Sequence, residues 1–435
     1  MADVFERFVN YCNGTYGVEQ HLRQVKDGRV RPRYGLPGLT WKMMIGIVTG
    51  IRSMNQLAEA IRDGSYDGVA GTDRPSADTF IYAFERVDRD SLVRASDAII
   101  TKARRNKALD QTRVEGFRVV AIDGTGLFST KSERLGHAGH HRKDVHGGSV
   151  EKERYLEHAL GVQYVSASGT NLLLDMVRIP AGQGETTVAR AVLKDLYQRH
   201  CRFCDVVTVD AGFAGSPFLN TVLGQNKHVI VRVKQEDYNI IKDADALFEG
   251  QSPNEVHRRV RLKAESNTVY DVQTWEDEGF TSWEGVNEPL RCIKVREIRR
   301  ELNAAGETIK EQEVTTHFVT NASRKIMPAL TVWKIAHRRW DIENGGFHFL
   351  KHHFHLGHAY CYEPQVIEVL LTLFVMAYNL FQLFVRRNLR SYKWGRVTLR
   401  GVMRQIRDGM VVVAYLARRR VREKAYPPRE MVVVT

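Results

Sequence analysis

The sequence is poor in cysteine and shows no export signal at its start. Five cysteines among 435 residues are too few and too scattered for a disulfide scaffold, and they fit a reducing environment. Residues 1–7 carry no apolar run behind a basic start, so we expect no signal peptide. The disulfide-rich secreted class is therefore excluded, and a cytoplasmic protein is expected.

Long apolar runs are also scarce, and one stretch, 366–385, approaches the length of a membrane span. It contains Glu368, Asn379 and Gln382, each of which is costly in lipid. We therefore predict a buried helix at this position and no membrane partner.

Positive charge exceeds negative charge, and the excess is concentrated at the C-terminal end. The chain has 64 Lys and Arg against 51 Asp and Glu, a net charge of +13. From residue 381 onward, 14 basic residues stand against 3 acidic ones. A basic tail on a nearly neutral core suggests a polyanionic partner, with nucleic acid first. A solvated or membrane-surface face is the alternative.

Changes in hydrophobic period divide the chain into segments. Hydrophobic residues make up 43% of the sequence, enough for a buried core, and the length favours two or three domains. The pattern predicts five stretches: a helical N-terminal domain (1–110), a mixed α/β part (111–234), a β-rich insertion (235–316), a second core part (317–385) and a basic helical C-terminus (386–435). The N-terminal domain is expected to bind DNA through a helix-turn-helix, and a plain helical bundle is the alternative.

The second stretch predicts strands covered by helices. An apolar run at 117–122 predicts a strand that stops at a turn beginning with Asp123, and a polar connection is expected over 129–157. A hairpin turning at Ser168-Gly169 is predicted next. The remaining elements are helix 185–199, strand 206–209, helix 216–224 and strand 229–233, which together predict a mixed sheet with helices on it.

Two aspartates occupy matching positions in this pattern. Asp123 and Asp210 each follow an apolar strand, and each is followed within two residues by glycine. Strand ends of one sheet converge, and two carboxylates that meet there repel unless a hard cation such as Mg²⁺ or Mn²⁺ neutralises them. The alternative is that each aspartate only ends a strand or caps a turn.

A third carboxylate, Glu343, lies in an aromatic and basic helical segment. Arg339 is four residues before it and shares its helix face. A solvated salt bridge and a third metal ligand are both compatible with this pattern.

These motifs together resemble DDE transposases of bacterial insertion sequences, most of all the insertion-sequence-four group. The resemblance rests on Asp123-Gly-Thr, on Val209-Asp-Ala-Gly-Phe and on Arg339-Trp-Asp-Ile-Glu-Asn, and it runs from about residue 35 to about 385. The β-rich stretch 235–316 matches the group's insertion between the second aspartate and the glutamate.

The resemblance implies a fold, a cofactor and an activity. The fold is an RNase H-like α/β core, and Asp123, Asp210 and Glu343 hold two Mg²⁺ or Mn²⁺ ions. The activity is metal-dependent cleavage at the inverted repeats of transposon ends, followed by strand transfer into target DNA. Arg338, Arg339 and Lys351 are expected to hold phosphate. Since two ends must be joined, a homodimer on DNA is expected.

The sequence departs from the group's signature Tyr-x2-Arg-x3-Glu-x6-Lys at two positions. Ala336 replaces the tyrosine, and Leu350 takes the place of the lysine, with Lys351 one residue late. Gly345-Gly346 would let the helix unwind locally and bring Lys351 round. The missing tyrosine weakens the expectation of a hairpin route for freeing the transposon end.

Other signals leave alternatives open. Trp275 and Trp283, expected in an acidic turn between two strands, either stack on an unpaired base or anchor the β-rich stretch. Cys201-x2-Cys204 lacks the second pair of a zinc site. The histidines between 348 and 358 are expected to face DNA or to be polar helix residues rather than metal ligands. A catalytically inactive DNA-binding descendant and an RNase H-like nuclease without strand transfer remain alternative functions.

Overall fold

The computed structural model describes residues 2–69, 71, 73–110, 113–131, 140–146, 149–233, 238–263, 266–393 and 395–425. Over these residues the chain is a mixed α/β protein with one ten-stranded, mainly antiparallel sheet. The predicted combination of a mixed sheet with flanking helices is thereby confirmed.

The N-terminal stretch is helical, as predicted. Ser53, Ser76 and Asp88 each accept a hydrogen bond from a backbone N–H in the first turn of the helix that follows, which fixes where α4, α5 and α6 begin. The helices are α1 (Ala2–Asn10), α2 (Val18–Arg23), α3 (Leu36–Thr49), α4 (Met54–Arg62), α5 (Ala77–Glu85) and α6 (Arg89–Arg105).

The sheet is formed by strands from the middle of the chain. Its order is β2-β3-β1-β5-β6-β10-β9-β8-β7, with β4 paired to β3. The strands are β1 (Val119–Thr130), β2 (His140–His146), β3 (Ser149–Val165), β4 (Leu173–Ile179), β5 (Val206–Asp210), β6 (His228–Val233), β7 (Glu255–Val260), β8 (Thr268–Phe280), β9 (Leu290–Leu302) and β10 (Thr308–Thr320).

Parallel pairing is confined to the centre of this sheet. Strands β1, β5 and β6 are parallel neighbours, whereas β3 and β4 on one side and β7 to β10 on the other pair antiparallel. The predicted β-rich stretch therefore joins the central sheet, because β10 pairs with β6 through His317 to Thr320. Its division into a separate domain stays a prediction.

The first strand is longer than predicted. The expected stop at Asp123 is wrong, because β1 continues through Asp123-Gly-Thr-Gly and stays paired with β3 as far as Thr130. Its parallel pairing with β5 ends at Ala121 opposite Thr208, two residues before Asp123. Glycine usually marks a turn, but here the backbone hydrogen bonds to β3 keep the chain extended.

The expected polar connection over 129–157 is wrong for the same reason. Most of the described part of it belongs to β2 and to the first half of β3, which pair with each other. Polar and charged residues are compatible with strands at a sheet edge, so composition alone misses them. The predicted hairpin at Ser168-Gly169 is confirmed as the β3–β4 connection, with Gly169 at a φ of 76°.

The remaining helices cover the sheet and close the chain. They are α7 (Glu185–Arg199), α8 (Ser216–Leu223), α9 (Asn239–Phe248), α10 (Ala329–Arg338), α11 (His348–His353), α12 (Pro364–Leu383), α13 (Arg390–Lys393) and α14 (Leu399–Ala425). Helix α9 is an addition to the stretch predicted as β-rich. Helix α14 packs against α1, so the basic C-terminal segment is part of the folded structure as far as Ala425, the last residue described.

The most apolar helix, α12, lies in the core. By length and composition it could cross a membrane, but 94% of its most apolar window is buried inside the protein. Asn379 pairs with the backbone of Leu173 at the edge of β4, accepting from its N–H at 2.8 Å and donating to its C=O at 2.7 Å. The prediction of a buried helix is confirmed, and Asn379 supplies polar partners that the strand edge lacks.

Replacing Asn379 with Leu should destabilise the protein, because it leaves two buried backbone groups without partners. We expect a loss of about 2 kcal/mol or more in the free energy of unfolding, measured by urea denaturation. Gln382→Leu is the control, because the Arg386 side chain bonded to Gln382 is only half-buried and can turn to water. Equal losses for the two variants would contradict this account.

Candidate active site

Two of the three predicted carboxylates lie where the central strands separate. Asp123 follows directly after β1 loses its pairing with β5, and Asp210 is the last residue of β5. Asp210 Oδ1 accepts from Gly212 N at 2.8 Å, and Asp123 Oδ1 accepts from Gly124 N at 2.9 Å. The turn-capping alternative is thus realised for Asp210 through one carboxylate oxygen, Oδ1.

Glu343 lies on a widened helical turn. Residues Ile342–Phe347 form a π-helix between α10 and α11, where the sequence predicted a continuous long helix. Each hydrogen-bonded ring of a π-turn encloses one more residue than an α-helical ring, and such turns are frequent at functional sites. The turn therefore provides the local unwinding expected from Gly345-Gly346.

Close packing holds this turn against the sheet. A Cβ on Gly346 would overlap with Gln163 Oε1, so only glycine fits there. The Phe347 ring takes the space above Gly161, the residue paired with Asp123, where a Cβ would lie 2.7 Å from a ring carbon. Tyr378 of α12 donates to Gly345 O at 3.2 Å. Glu343 is consequently carried toward Asp123 by contacts on both sides of its turn.

One buried arginine joins two of the carboxylates. Arg339 Nη1 lies 2.9 Å from Asp123 Oδ2, and its Nη2 lies 3.0 Å from Glu343 Oε1. The side chain of Arg339 is 4% exposed, against 14% for Asp123 and 36% for Glu343. The salt bridge between Arg339 and Glu343 is thus part of a three-residue cluster at the sheet and not a solvated helix pair.

The pKa of Asp123 is shifted by its burial among charged side chains. Burial is the largest cause that raises the pKa of Asp123, to about 7, and the Glu343 and Asp210 carboxylates raise it further. Arg339 lowers the pKa but does not cancel these effects. Both of the other predicted carboxylates therefore act on Asp123.

The donor set suits a hard divalent cation. Carboxylate oxygens are the ligands that Mg²⁺ prefers, and a cation among them would relieve the repulsion that raises the pKa of Asp123. Among the described residues, no three Asp, Glu, His or Cys side chains stand arranged around one ion position. Arg339 instead supplies the positive charge between Asp123 and Glu343.

A fourth carboxylate, which sequence reasoning missed, lies next to the site. Glu185 is the first residue of α7, and its carboxylate rests against Gly124 so closely that a Cβ there would overlap with it. An acidic residue in the first turn of a helix is common, so this contact has no sequence signal of its own. A larger residue at position 124 would have to displace the exposed Glu185 side chain.

The three residues predicted to contact phosphate, Arg338, Arg339 and Lys351, lie in different surroundings. Arg338 is 8% exposed and donates to Leu262 O at 2.6 Å. Lys351 is half-buried, which lowers its pKa, and among the described residues it forms no ion pair with the three carboxylates. The structure brings Arg339 to the carboxylates, whereas Arg338 and Lys351 do not join them. Their roles toward DNA stay predictions.

The two tryptophans have structural partners. Trp275 lies within β8 and not in a turn as expected, and its indole N–H donates to Gln251 O at 2.9 Å. Trp283, in the loop after β8, is 7% exposed and stacks on Tyr238 with ring centroids 4.7 Å apart. These contacts correspond to the alternative in which the tryptophans anchor the β-rich stretch.

Comparison with known proteins identifies the class. Residues 115–380 match the family model of the transposase DDE domain, and the chain therefore belongs to that family. No curated protein matches the sequence. A solved structure of the piggyBac transposase synaptic complex with hairpin DNA is similar, with 12% identity and a TM-score of 0.41, over 96% of this chain and 79% of that chain. A likeness of this size supports no further argument.

Two substitutions should move the pKa of Asp123 in opposite directions. Glu343→Gln removes a neighbouring negative charge and should lower it from about 7, whereas Arg339→Gln removes the cation and should raise it. The measurement is a ¹³C NMR titration of the aspartate carboxyl groups in metal-free protein. Asp27, held by Arg29, serves as the remote control and should not respond. Shifts of the same sign in both variants would show that the two side chains do not act through charge.

Proposed function

We propose that this chain is a metal-dependent DNA transposase that cleaves transposon ends and joins them to target DNA. The observation that carries the proposal is that the buried Asp123 carboxylate shares Arg339 with Glu343 and is acted on by the charges of Glu343 and Asp210, in a member of the transposase DDE family. DNA is the proposed partner, and the net charge of +13 supports that assignment.

The finer assignment is an RNase H-like core of the insertion-sequence-four type from a bacterium. Strand order β4-β3-β1-β5-β6, with three antiparallel strands followed by two parallel ones, supports the RNase H-like part. Strands β7 to β9 fall between Asp210 and Glu343, as in the insertion of that group.

In this mechanism Asp123, Asp210 and Glu343 are the residues that would hold two Mg²⁺ or Mn²⁺ ions. When bound, paired ions of this kind activate an attacking oxygen and stabilise the leaving oxygen of a phosphodiester. Asp123 would have to lose its proton to serve as a ligand, because only the carboxylate form binds. Arg339 neutralises Asp123 and Glu343, and its guanidinium is the proposed contact for a backbone phosphate.

The remaining chain residues position the DNA. Arg338 and Lys351 flank the turn that carries Glu343 and are proposed to contact backbone phosphates. Joining two transposon ends requires two active sites, so we propose a homodimer on DNA.

Isosteric substitution of each carboxylate tests the reaction. Asp123→Asn, Asp210→Asn and Glu343→Gln should each lower cleavage by about 10³-fold or more, and the losses should not add, because one missing ligand dismantles the shared site. End binding should persist, since phosphate contacts dominate affinity. The substrate is an inverted repeat found in the DNA that flanks the coding frame. Cleavage is measured on duplexes with this repeat that carry a labelled end.

Asp243→Asn is the matched control, because Asp243 is an exposed carboxylate of α9. It should cleave like the wild type. Substantial cleavage by Glu343→Gln would refute the three-carboxylate site. A wild-type protein that binds ends but never cuts would instead favour the inactive descendant. Pre-cut ends separate transposase from nuclease, because only the former joins them to target DNA.

Metal binding should depend on pH near neutrality. Because the pKa of Asp123 is raised to about 7, protons compete with the cation, and Mg²⁺ affinity should rise between pH 6 and pH 8. Calorimetry in buffers of different ionisation enthalpy should detect proton release on binding. An affinity independent of pH over this range would remove Asp123 from the ligand set.

A further inference from the structure

A basic cavity lies on the far side of the helical segment that carries Glu343. It has a volume of about 370 Å³ and forms where the end of α3, the end of α11 and the first half of α14 meet. Two features of the sequence contribute most of its wall, the histidine run after Glu343 and the basic C-terminal segment. Neither feature has a role in the carboxylate site.

The charges around this cavity have one sign. Four arginines line it, Arg52, Arg400, Arg404 and Arg407, and three histidines, at 352, 353 and 355, complete the wall. No carboxylate of the described residues lines it, although Arg407 has Asp408 at 3.8 Å on its outer side. Cations gathered without counter-charges repel one another, so the arrangement favours an anionic ligand.

The backbone holds these groups in place. His355 has a φ of 58°, a conformation that few residues other than glycine adopt, and its Nε2 rests against Gly50, which has a φ of 85°. On α14, Arg400, Arg404 and Arg407 are spaced four and three residues apart and therefore share one face. The site is thus formed by fixed elements and not by an exposed loop.

A bound anion would change the protonation of the cavity histidines. Burial lowers the pKa of His353, and Arg400 lowers it further. Burial likewise lowers the pKa of His355, with Arg52 adding to the effect. Their charged neighbours across the cavity are arginines and other histidines, so a bound phosphate would reverse the local field and favour the protonated imidazoles.

We propose that this cavity binds phosphate groups of the DNA backbone adjacent to the cleavage site. The inference rests on the proposed function and adds the surface along which the DNA strand next to the cleavage site would lie. His352 follows Glu343 by nine residues, which is at most about 13 Å along the helical segment, because the π-turn rises less per residue than an α-helix. That spacing corresponds to at most about four base pairs of B-DNA, at one phosphate per 3.4 Å on each strand.

Salt-dependent DNA binding tests the location. Arg400→Gln and Arg404→Gln should each reduce the slope of log affinity against log salt by about 0.9, the value for one lost phosphate contact on B-DNA. Arg420→Gln is the matched control: it is exposed on the same helix, but it lies sixteen residues beyond Arg404 and about 160° around the axis. It should leave the slope unchanged. The DNA is the duplex that flanks the coding frame.

The pKa values of the cavity histidines provide a second readout, which would not change if the arginines had only a structural role. Adding the duplex should raise the pKa of His353 and His355 in ¹⁵N NMR titrations of selectively labelled protein. His355→Asn, which tolerates the left-handed backbone, should weaken DNA binding at pH 6 more than at pH 8. Inorganic phosphate, added alone, distinguishes a small-anion site from a DNA site.

DNA binding and DNA cleavage are measured separately, so that failure of the cavity assignment can be distinguished from failure of the proposed function. Binding is measured in EDTA, so that loss of metal chemistry does not affect it. Unchanged slopes for Arg400→Gln and Arg404→Gln in a protein that cleaves DNA would overturn the cavity assignment alone. Histidine shifts with inorganic phosphate but not with the duplex would also overturn it. Reduced slopes in a protein that never cleaves would support the cavity and contradict the proposed reaction.

Discussion

Repulsion between like charges governs the arrangement of the candidate active site. Asp123 is buried beside the carboxylates of Glu343 and Asp210, and its raised pKa records the energetic cost of that placement. Arg339 offsets part of the cost by pairing with Asp123 and Glu343 while it is itself nearly inaccessible to solvent. Buried carboxylates of this kind need positive charge beside them, and in this fold the Arg339 guanidinium supplies it.

The packing around the π-turn explains how the carboxylates are brought together. Asp210 at the end of β5 and Asp123 just beyond the paired part of β1 and β5 are brought near each other by the sheet, whereas Glu343 lies on a helical segment that must pack closely against the sheet. Gly346 against Gln163 and Phe347 against Gly161 bring the helix onto the sheet more closely than side chains at these glycines would allow. The widened turn also accommodates one additional residue before Lys351. The geometry of the candidate site thus depends on glycines that carry no functional group.

Positive charge is distributed over the structure in two different ways. Arg339 is enclosed and compensated by carboxylates, whereas the arginines around the α3–α11–α14 cavity have no carboxylate facing them. The first arrangement stabilises the metal-free protein. The second leaves an uncompensated potential beside the same helical segment, and backbone phosphates of DNA are the polyanion that both the charge and the family membership suggest.

The sequence by itself determined the candidate site residues and most elements. The apolar runs before Asp123 and Asp210 drew attention to both, although only Asp210 ends its strand. Helix spacing paired Arg339 with Glu343, and polar residues in an apolar run indicated that α12 is buried. The extent of β1, the pairing of β2 with β3 and the joining of β10 to β6 were decided by tertiary structure, because backbone hydrogen bonds to distant strands outweigh local glycine and polarity signals. The contact of Glu185 with Gly124 and the basic cavity likewise depend on residues far apart in sequence, whose proximity no local pattern encodes.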